Sequence, residues 1–415
     1  MDSLVSRYLL FILVNNAYTY ITAGFATIYF LGIVDLLSLG FILSIYTLIQ
    51  FILEYPTGSL TDTHGERAVF ITGTLIFALS LFIEASASNP AWLLTGIVVG
   101  GFGITLQSGC LVTWFNNTYR DKYKEDQVRI RSMNRIYGKL STVSTISISF
   151  FIAIGGWLTS FLKMSDVFLI AGLLCLIMAI VGLVGLSPTS LKRRNPLLEK
   201  SSYIKNLKEG IELYFKQGSL FRYSVYYAVF YSCLASFATI ILQPALQETG
   251  MKIELIALLI SGGIVFMAVG SWFNDKLKTT INRYRNEDSA AISVVSILQV
   301  VPFLLYYHGI LIGSLVSLVS ASILFYVLWG AFGPIFGEVF QRKITNEYRA
   351  RFISIHYALT SLGLAIGYTA VGILAGFTGY TNFILVLALA ICVLVTLFLV
   401  SSNEQGQVKS VPAMA

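Results

Sequence analysis

Three observations on this sequence predict an all-α membrane protein, with twelve transmembrane helices in two six-helix bundles and both termini cytoplasmic. The first is composition: of 415 residues, 56% are hydrophobic and only 12% charged, against about 45–50% and about 25% in an ordinary globular chain. At about 20 residues per spanning helix, the roughly 230 apolar residues fill about twelve spans. The second is their arrangement in long runs separated by short polar breaks. The third is the placement of the 28 Lys and Arg, all of which except Lys163 and Lys252 lie in or beside alternate connections. Such a bias fixes orientation in a membrane. Together these features exclude a soluble enzyme, a nucleic-acid binder, a disulfide-stapled secreted domain and a single-span receptor.

The runs lie at 8–33, 38–60, 68–87, 91–115, 136–161, 166–186, 221–246, 253–273, 289–307, 309–338, 351–374 and 381–400. The first follows Asp2 and Arg7 and is too long for a signal-peptide core, so it reads as an uncleaved span. The segments 1–7, 61–67, 116–135, 187–220, 274–288, 339–350 and 401–415 carry the basic residues and are assigned to the cytoplasm. The net charge of +7 therefore belongs to membrane topology and anionic lipid headgroups, not to nucleic acid. The expected organisation is an N-terminal bundle over 1–186, a cytoplasmic linker over 187–220, a C-terminal bundle over 221–400 and a cytoplasmic tail over 401–415. Within the linker, Tyr203, Ile204, Leu207, Ile211 and Phe215 recur at helical spacing among lysines, which predicts an amphipathic helix on the inner membrane surface. The expected setting is a cell membrane (inner or plasma), crossed many times by a monomer.

The halves echo each other at a constant offset. Arg129-Ile130-Arg131 returns as Arg349-Ala350-Arg351, Tyr137 as Tyr357 and Gly155-Gly156 as Ala375-Gly376, each 220 residues on. A duplicated six-helix unit is the parallel-repeat plan of many secondary transporters. Cys110, Cys175, Cys233 and Cys392 are scattered within apolar runs and read as small hydrophobic packing. No P-loop, catalytic triad or metal-spaced cluster is present in the sequence, and His64, His308 and His356 are far apart. Neither metal, cofactor nor enzymatic activity is expected.

Between the second and third spans the chain reads Glu54-Tyr55-Pro56-Thr57-Gly58-Ser59-Leu60-Thr61-Asp62-Thr63-His64-Gly65-Glu66-Arg67. Gly58, Leu60, Asp62, Gly65 and Arg67 resemble the loop signature of the major facilitator superfamily. The Glu-x-Pro-Thr-Gly before it resembles the second-span ending of a branch rich in drug-efflux members. The resemblance implies that Gly58, Asp62, Gly65 and Arg67 form a gating motif, with Asp62 meeting the start of the eleventh span near Arg351. The small Gly58 would allow close helix approach, and Asp62 would complement a helix N-terminus. The pattern is incomplete. Thr63 and Glu66 stand where basic residues are usual, Phe151-Ile152 replaces the antiporter Gly-Pro, the fourth span lacks an arginine, and Gly270 to Lys276 is a frayed echo in the second half.

The resemblance also implies that spans one, four, seven and ten line a central cavity. Their polar and aromatic residues are then the substrate candidates: Asn15, Asn16, Tyr18 and Thr19; Gln107 and Trp114; Tyr227 and Tyr231; Tyr326 and Trp329. A lining of amides and aromatic rings without mid-depth charge suits amphipathic, hydrophobic or cationic small molecules. Ionisable groups inside a bilayer are costly and are functional suspects, which singles out Glu54 and His356 as a pair coupling transport to protons. The expected function is secondary active transport by alternating access, with proton-coupled efflux ahead of nutrient or metabolite uptake and of a transporter-like sensor.

Overall fold

The computed structural model describes residues 3–123, 133–187, 212, 214–215, 218–284, 288–344 and 349–408, and every regular element among them is helical. Among the described residues, eleven helices are long and apolar enough to cross a membrane. They fall on the second to twelfth expected runs.

The first expected run differs. It is divided into α1 (Ser3–Tyr20) and α2 (Ala26–Leu31), and it is not among the eleven. Asn15, Asn16, Thr19 and Thr22 dilute its apolar character. The chain then closes tight turns, with the Ala23 N–H on Tyr20 O at 3.1 Å and the Phe25 N–H on Thr22 O at 3.1 Å.

Helix starts and stops follow local chemistry. Asp35 caps α3 (Leu36–His64), its carboxylate accepting from the Ser38 N–H at 2.7 Å. Gly65, at φ +83°, ends α3 and opens α4 (Glu66–Ala85), a backbone conformation that suits glycine. Asn89 caps α5 (Pro90–Gln107), and Pro90 occupies its first position. The fourth run is interrupted after Gln107 by Ser108 and Gly109 (φ +73°) before α6 (Cys110–Lys122) resumes it. α7 (Met133–Leu158) and α8 (Met164–Gly185) follow.

The second half opens with α9 (Gly218–Ser236), a π-helical turn at Phe237–Ile241 and α10 (Leu242–Glu248). Pro244 explains the turn: its ring cannot share space with the carbonyl four residues earlier and it has no N–H to offer, so the preceding backbone widens. α11 (Ile253–Tyr284), α12 (Asp288–Leu298), α13 (Val300–Ile312), α14 (Leu315–Lys343), α15 (Arg349–Thr378) and α16 (Tyr380–Val408) complete the chain.

These helices form two compact units, one comprising Met1–Lys205 with Met251–Ser261 and the other Asn206–Gly250 with Gly262–Ala415. In the first, Tyr8 stacks on Phe115 at 4.2 Å and Phe11 meets Trp114 edge-on at 5.5 Å. A Cβ on Gly155 of α7 would overlap the Ile21 carbonyl oxygen, so a bare glycine sets that approach. In the second unit, α11 and α14 approach through Gly270 and Gly330, where a Cβ would overlap Val327 O and Met267 O respectively, and Ser271 Oγ donates to Gly330 O at 2.9 Å. Most of the proposed amphipathic helix over 203–215 lies outside the described residues.

Candidate functional site

A cavity of about 770 Å³ opens within the first unit, in the size range of small-molecule sites. α1 contributes Tyr8, Ile12, Asn15 and Asn16; the α5–α6 break contributes Gln107, Ser108 and Gly109; α7 contributes Tyr137, Ser141, Ser144 and Thr145. None of the residues lining it is Asp, Glu, Lys, Arg or His. The break matters to this wall. Because α5 stops at Gln107 and Gly109 turns left-handed, the carboxamide stands at the end of a helix within reach of α1.

Tyr18 ties two of the amides together. Its hydroxyl lies 2.6 Å from Asn15 Oδ1 and 2.5 Å from Gln107 Oε1, while Gln107 Nε2 is buried with no hydrogen-bond partner among the described residues. Asn16 faces α7. Its Nδ2 donates to Ser147 Oγ at 2.7 Å and Ser144 Oγ at 3.0 Å, and lies 3.3 Å from Ser144 O. Asn15, Asn16 and Gln107 thus stand on the cavity wall, and Tyr18 is wholly buried behind it. Trp114 is also wholly buried, donating from Nε1 to Ser187 Oγ at 3.3 Å. Thr19 Oγ1 is buried without a partner among the described residues and is not part of the cavity lining.

Ser141, Ser144, Thr145 and Ser147 were not anticipated from the sequence. A serine in an apolar helix reads as filler. Only the i, i+3 spacing of Ser141, Ser144 and Ser147 hinted at one polar face.

The second unit gathers its candidates into an aromatic cluster. Tyr227 stacks on Tyr231 at 5.6 Å and lies 4.4 Å from Phe336; Tyr231 meets Trp329 at 6.0 Å, and Trp329 stacks on Tyr326 at 6.1 Å. His356 on α15 is set among Tyr227, Phe336 and Phe340 at 4.9, 5.5 and 4.4 Å between ring centroids. It is only 7% exposed, and its Nδ1 has no hydrogen-bond partner among the described residues. Lys278 and Glu338 form an ion pair at 2.6 Å nearby in sequence to this cluster's α14 residues, with Arg342 at 3.6 Å.

Of the expected gating residues, Gly65 and Arg67 have described surroundings, and the surroundings of Gly58 and Asp62, like those of Glu54, lie outside the described set. Arg67 donates to Leu183 O at 2.5 Å and Arg7 to Gly185 O at 3.4 Å. Two cations therefore close the C-terminal turn of α8, where the helix dipole is negative. Beside them Glu66 accepts from Asn117 Nδ2 at 2.7 Å. Glu84, near the end of α4, is buried, with Cγ 2.8 Å from where a Cβ on Gly96 would stand. The Tyr29 hydroxyl donates to its backbone carbonyl at 2.9 Å.

Residues 4–342 match the model of the Major Facilitator Superfamily. The chain belongs to that superfamily. Solved structures share its architecture. The nucleoside transporter NupG matches with a TM-score of 0.72 and 16% identity, covering 96% of this chain and 99% of that one. A bacterial homologue of the iron transporter ferroportin matches at 0.73 and 15%, covering 96% and 99%. An auto-inhibited peptide transporter of the POT family matches at 0.69 and 12%, covering 96% and 97%. At such identities the likeness is one of fold alone. A 96-residue stretch is 28% identical to the arabinose-proton symporter of Bacillus subtilis (strain 168), covering 23% of this chain and only 19% of the symporter's length. This superfamily member is therefore a multi-pass membrane transporter and not an enzyme.

Proposed function

We propose that this superfamily member is a secondary active transporter that moves a small, uncharged, amphipathic molecule across the cell (inner or plasma) membrane by alternating access, coupled to protons and working as a monomer. The observation that carries the substrate reading is the cavity of the first unit, which combines three carboxamides with apolar side chains and has no charged residue in its lining. A multiply charged solute placed there would lose its hydration without gaining a counter-charge. The aromatic cluster of the second unit, with Tyr227, Tyr231, Tyr326 and Trp329, supports an amphipathic substrate in the same way.

Efflux is the proposed direction, on the Glu-x-Pro-Thr-Gly resemblance, with Gly58, Asp62, Gly65 and Arg67 as the gating loop. Uptake is a second reading. It is favoured by the polar amide wall and by the short likeness to a sugar–proton symporter. Glu54 and His356 are proposed to carry the coupling proton; the deep burial of His356 among rings supports its role, because an ionisable group held inside a bilayer carries a cost that function must offset.

Counterflow with purified protein in liposomes, run against lipophilic cations, sugars and amino acids, tests the transport reading and its substrate. Exchange of any probe supports transport and identifies its substrate class, whereas direction is read from net movement of that probe under an imposed pH gradient. For coupling, Glu54→Gln is expected to abolish pH-driven accumulation while leaving counterflow intact. Unchanged pH-driven transport would remove Glu54 from the coupling step.

A further inference from the structure

We infer that the cavity of the first unit takes a neutral molecule bearing several hydroxyl groups, held through Asn15, Asn16 and Gln107. This rests on the transporter reading above and narrows it to a substrate class.

Tyr18 carries one hydroxyl proton, yet two amide oxygens, Asn15 Oδ1 and Gln107 Oε1, lie 2.6 and 2.5 Å from its oxygen. It can serve one of them, and the other amide must turn to offer its N–H₂ to the phenol oxygen. If Gln107 turns, its carbonyl oxygen is left without a partner. If Asn15 turns, the Gln107 N–H₂ is left without one. Either way a residue only 6% exposed, on the cavity wall, holds one buried polar atom that no described group satisfies. In the first case that atom is an acceptor and in the second a donor.

An unsatisfied buried polar atom is costly, and a ligand toward which the Gln107 carboxamide turns recovers that cost. A carboxylate or phosphate oxygen can only accept, and an ammonium can only donate. A hydroxyl does both, so it fits Gln107 in either arrangement. Asn16 adds a second point of recognition. Its Nδ2 is spent on α7, and its Oδ1 has no hydrogen bond to any described residue, which leaves an acceptor for a hydroxyl donor.

The remaining wall agrees. Ser108 and Ser141 bring further hydroxyls, Ile12, Ile104 and Leu140 bring apolar surface for the C–H faces of a ring, and no lining residue is charged. A ring with hydroxyls on its edge and C–H bonds on its faces matches this mixture, as in a monosaccharide or the ribose of a nucleoside.

The test uses the full-length protein in liposomes, with counterflow of radiolabelled pentoses, hexoses and ribonucleosides beside tetraphenylphosphonium, amino acids and dipeptides. At least one neutral hydroxylated probe is expected to exchange. A deoxy analogue of that probe, lacking one ring hydroxyl, is expected to exchange roughly 10- to 100-fold less well on the unaltered protein. Gln107→Leu should produce a loss of the same size, and the deoxy comparison stands even if that variant does not fold. Exchange of tetraphenylphosphonium, amino acids or dipeptides with every sugar and nucleoside inert overturns the substrate class and leaves the transporter reading standing. Indifference to loss of each ring hydroxyl in turn also overturns it. If folded, monodisperse protein exchanges none of the probes, the neutral hydroxylated substrate class is overturned.

Discussion

In the first unit Asn16 of α1 donates to Ser147 of α7 at 2.7 Å. Their counterparts 220 residues on are Ser236 of α9 and Gly367 of α15, and these face each other so closely that a Cβ on Gly367 would lie 3.0 Å from Ser236 Oγ. The same helix pair thus crosses at the same place in both units, through an amide bridge in one and a serine–glycine contact in the other. The α5–α6 break makes a similar comparison. Gln107, Ser108 and Gly109 correspond to Val327, Leu328 and Trp329, where α14 runs unbroken and Trp329 joins the aromatic cluster. The first helix of each repeat is also disturbed at one position: α1 ends at Tyr20, and the matching stretch of the second unit is the π-helical turn at Phe237–Ile241. The crossing point and the disturbance of the first helix are shared and the α5–α6 break is not, while the side chains at these places have diverged, toward amides in one unit and rings in the other.

The largest contrast is expected at the glycine pair. A Cβ on Gly155 would overlap the backbone oxygen of Ile21, and backbone cannot step aside as a flexible side chain can. Its neighbour Gly156 would bring a Cβ to 2.1 Å from Ala257 Cβ, whereas Gly376, the counterpart of Gly156, has nothing among the described residues within 4 Å of such a Cβ. Gly155→Ala should destabilise the protein by about 1–3 kcal/mol or more, whereas Gly376→Ala should stabilise it by roughly 0.5–1 kcal/mol through helix propensity. Thermal unfolding in detergent, followed by tryptophan fluorescence, gives both signs. Equal effects would mean the two helix ends are packed alike.

A smaller contrast separates the two crossings. Asn16→Ala removes the donor shared by Ser144 and Ser147 and should cost about 1–3 kcal/mol. Ser236 is wholly buried, and its hydroxyl has no hydrogen-bond partner among the described residues. Ser236→Ala should therefore be neutral or stabilising by up to about 1 kcal/mol. The same unfolding assay checks the pair. A destabilised Ser236→Ala would show that the second crossing is held by a hydrogen bond after all.

These contrasts mark what could be read from the sequence. Apolar runs located the second to twelfth spans because only length and composition are needed for that. The 220-residue offset was visible in Gly155-Gly156 and Tyr137, but not in Asn16 and Ser236, since different residue types occupy a shared contact. The interruption after Gln107 was missed, 91–115 reading as one run, because the Ser108-Gly109 dipeptide is a turn signal that an apolar stretch of spanning length outweighs. What was not legible is which side of a helix meets a cavity. In a membrane helix, lipid-facing and packed faces are both apolar, so Tyr18 and Trp114 could not be told from Asn15 and Asn16 without knowing which helices surround them.

The smallest expected effect distinguishes two helix starts. Asp35 in the first unit accepts from the Ser38 N–H at 2.7 Å, and Ser314 in the second accepts from the Ser317 N–H at 3.3 Å. Hydrogen bonds from Ser38 hold the Asp35 carboxyl below its ordinary range, so the folded state prefers the charged form. The cap's contribution is then complete above the unfolded value of about 3.9 and is lost as pH falls through the lower folded value. Serine does not titrate in that window. Asp35→Ser should keep most of the cap while flattening the acid limb of stability, and Ser314→Asp should introduce such a limb at α14, each by no more than about 1 kcal/mol. Midpoints of unfolding between pH 7 and about pH 3 would resolve the two. An acid limb unchanged by Asp35→Ser would place the pH dependence on another carboxylate, such as Glu338 beside Lys278.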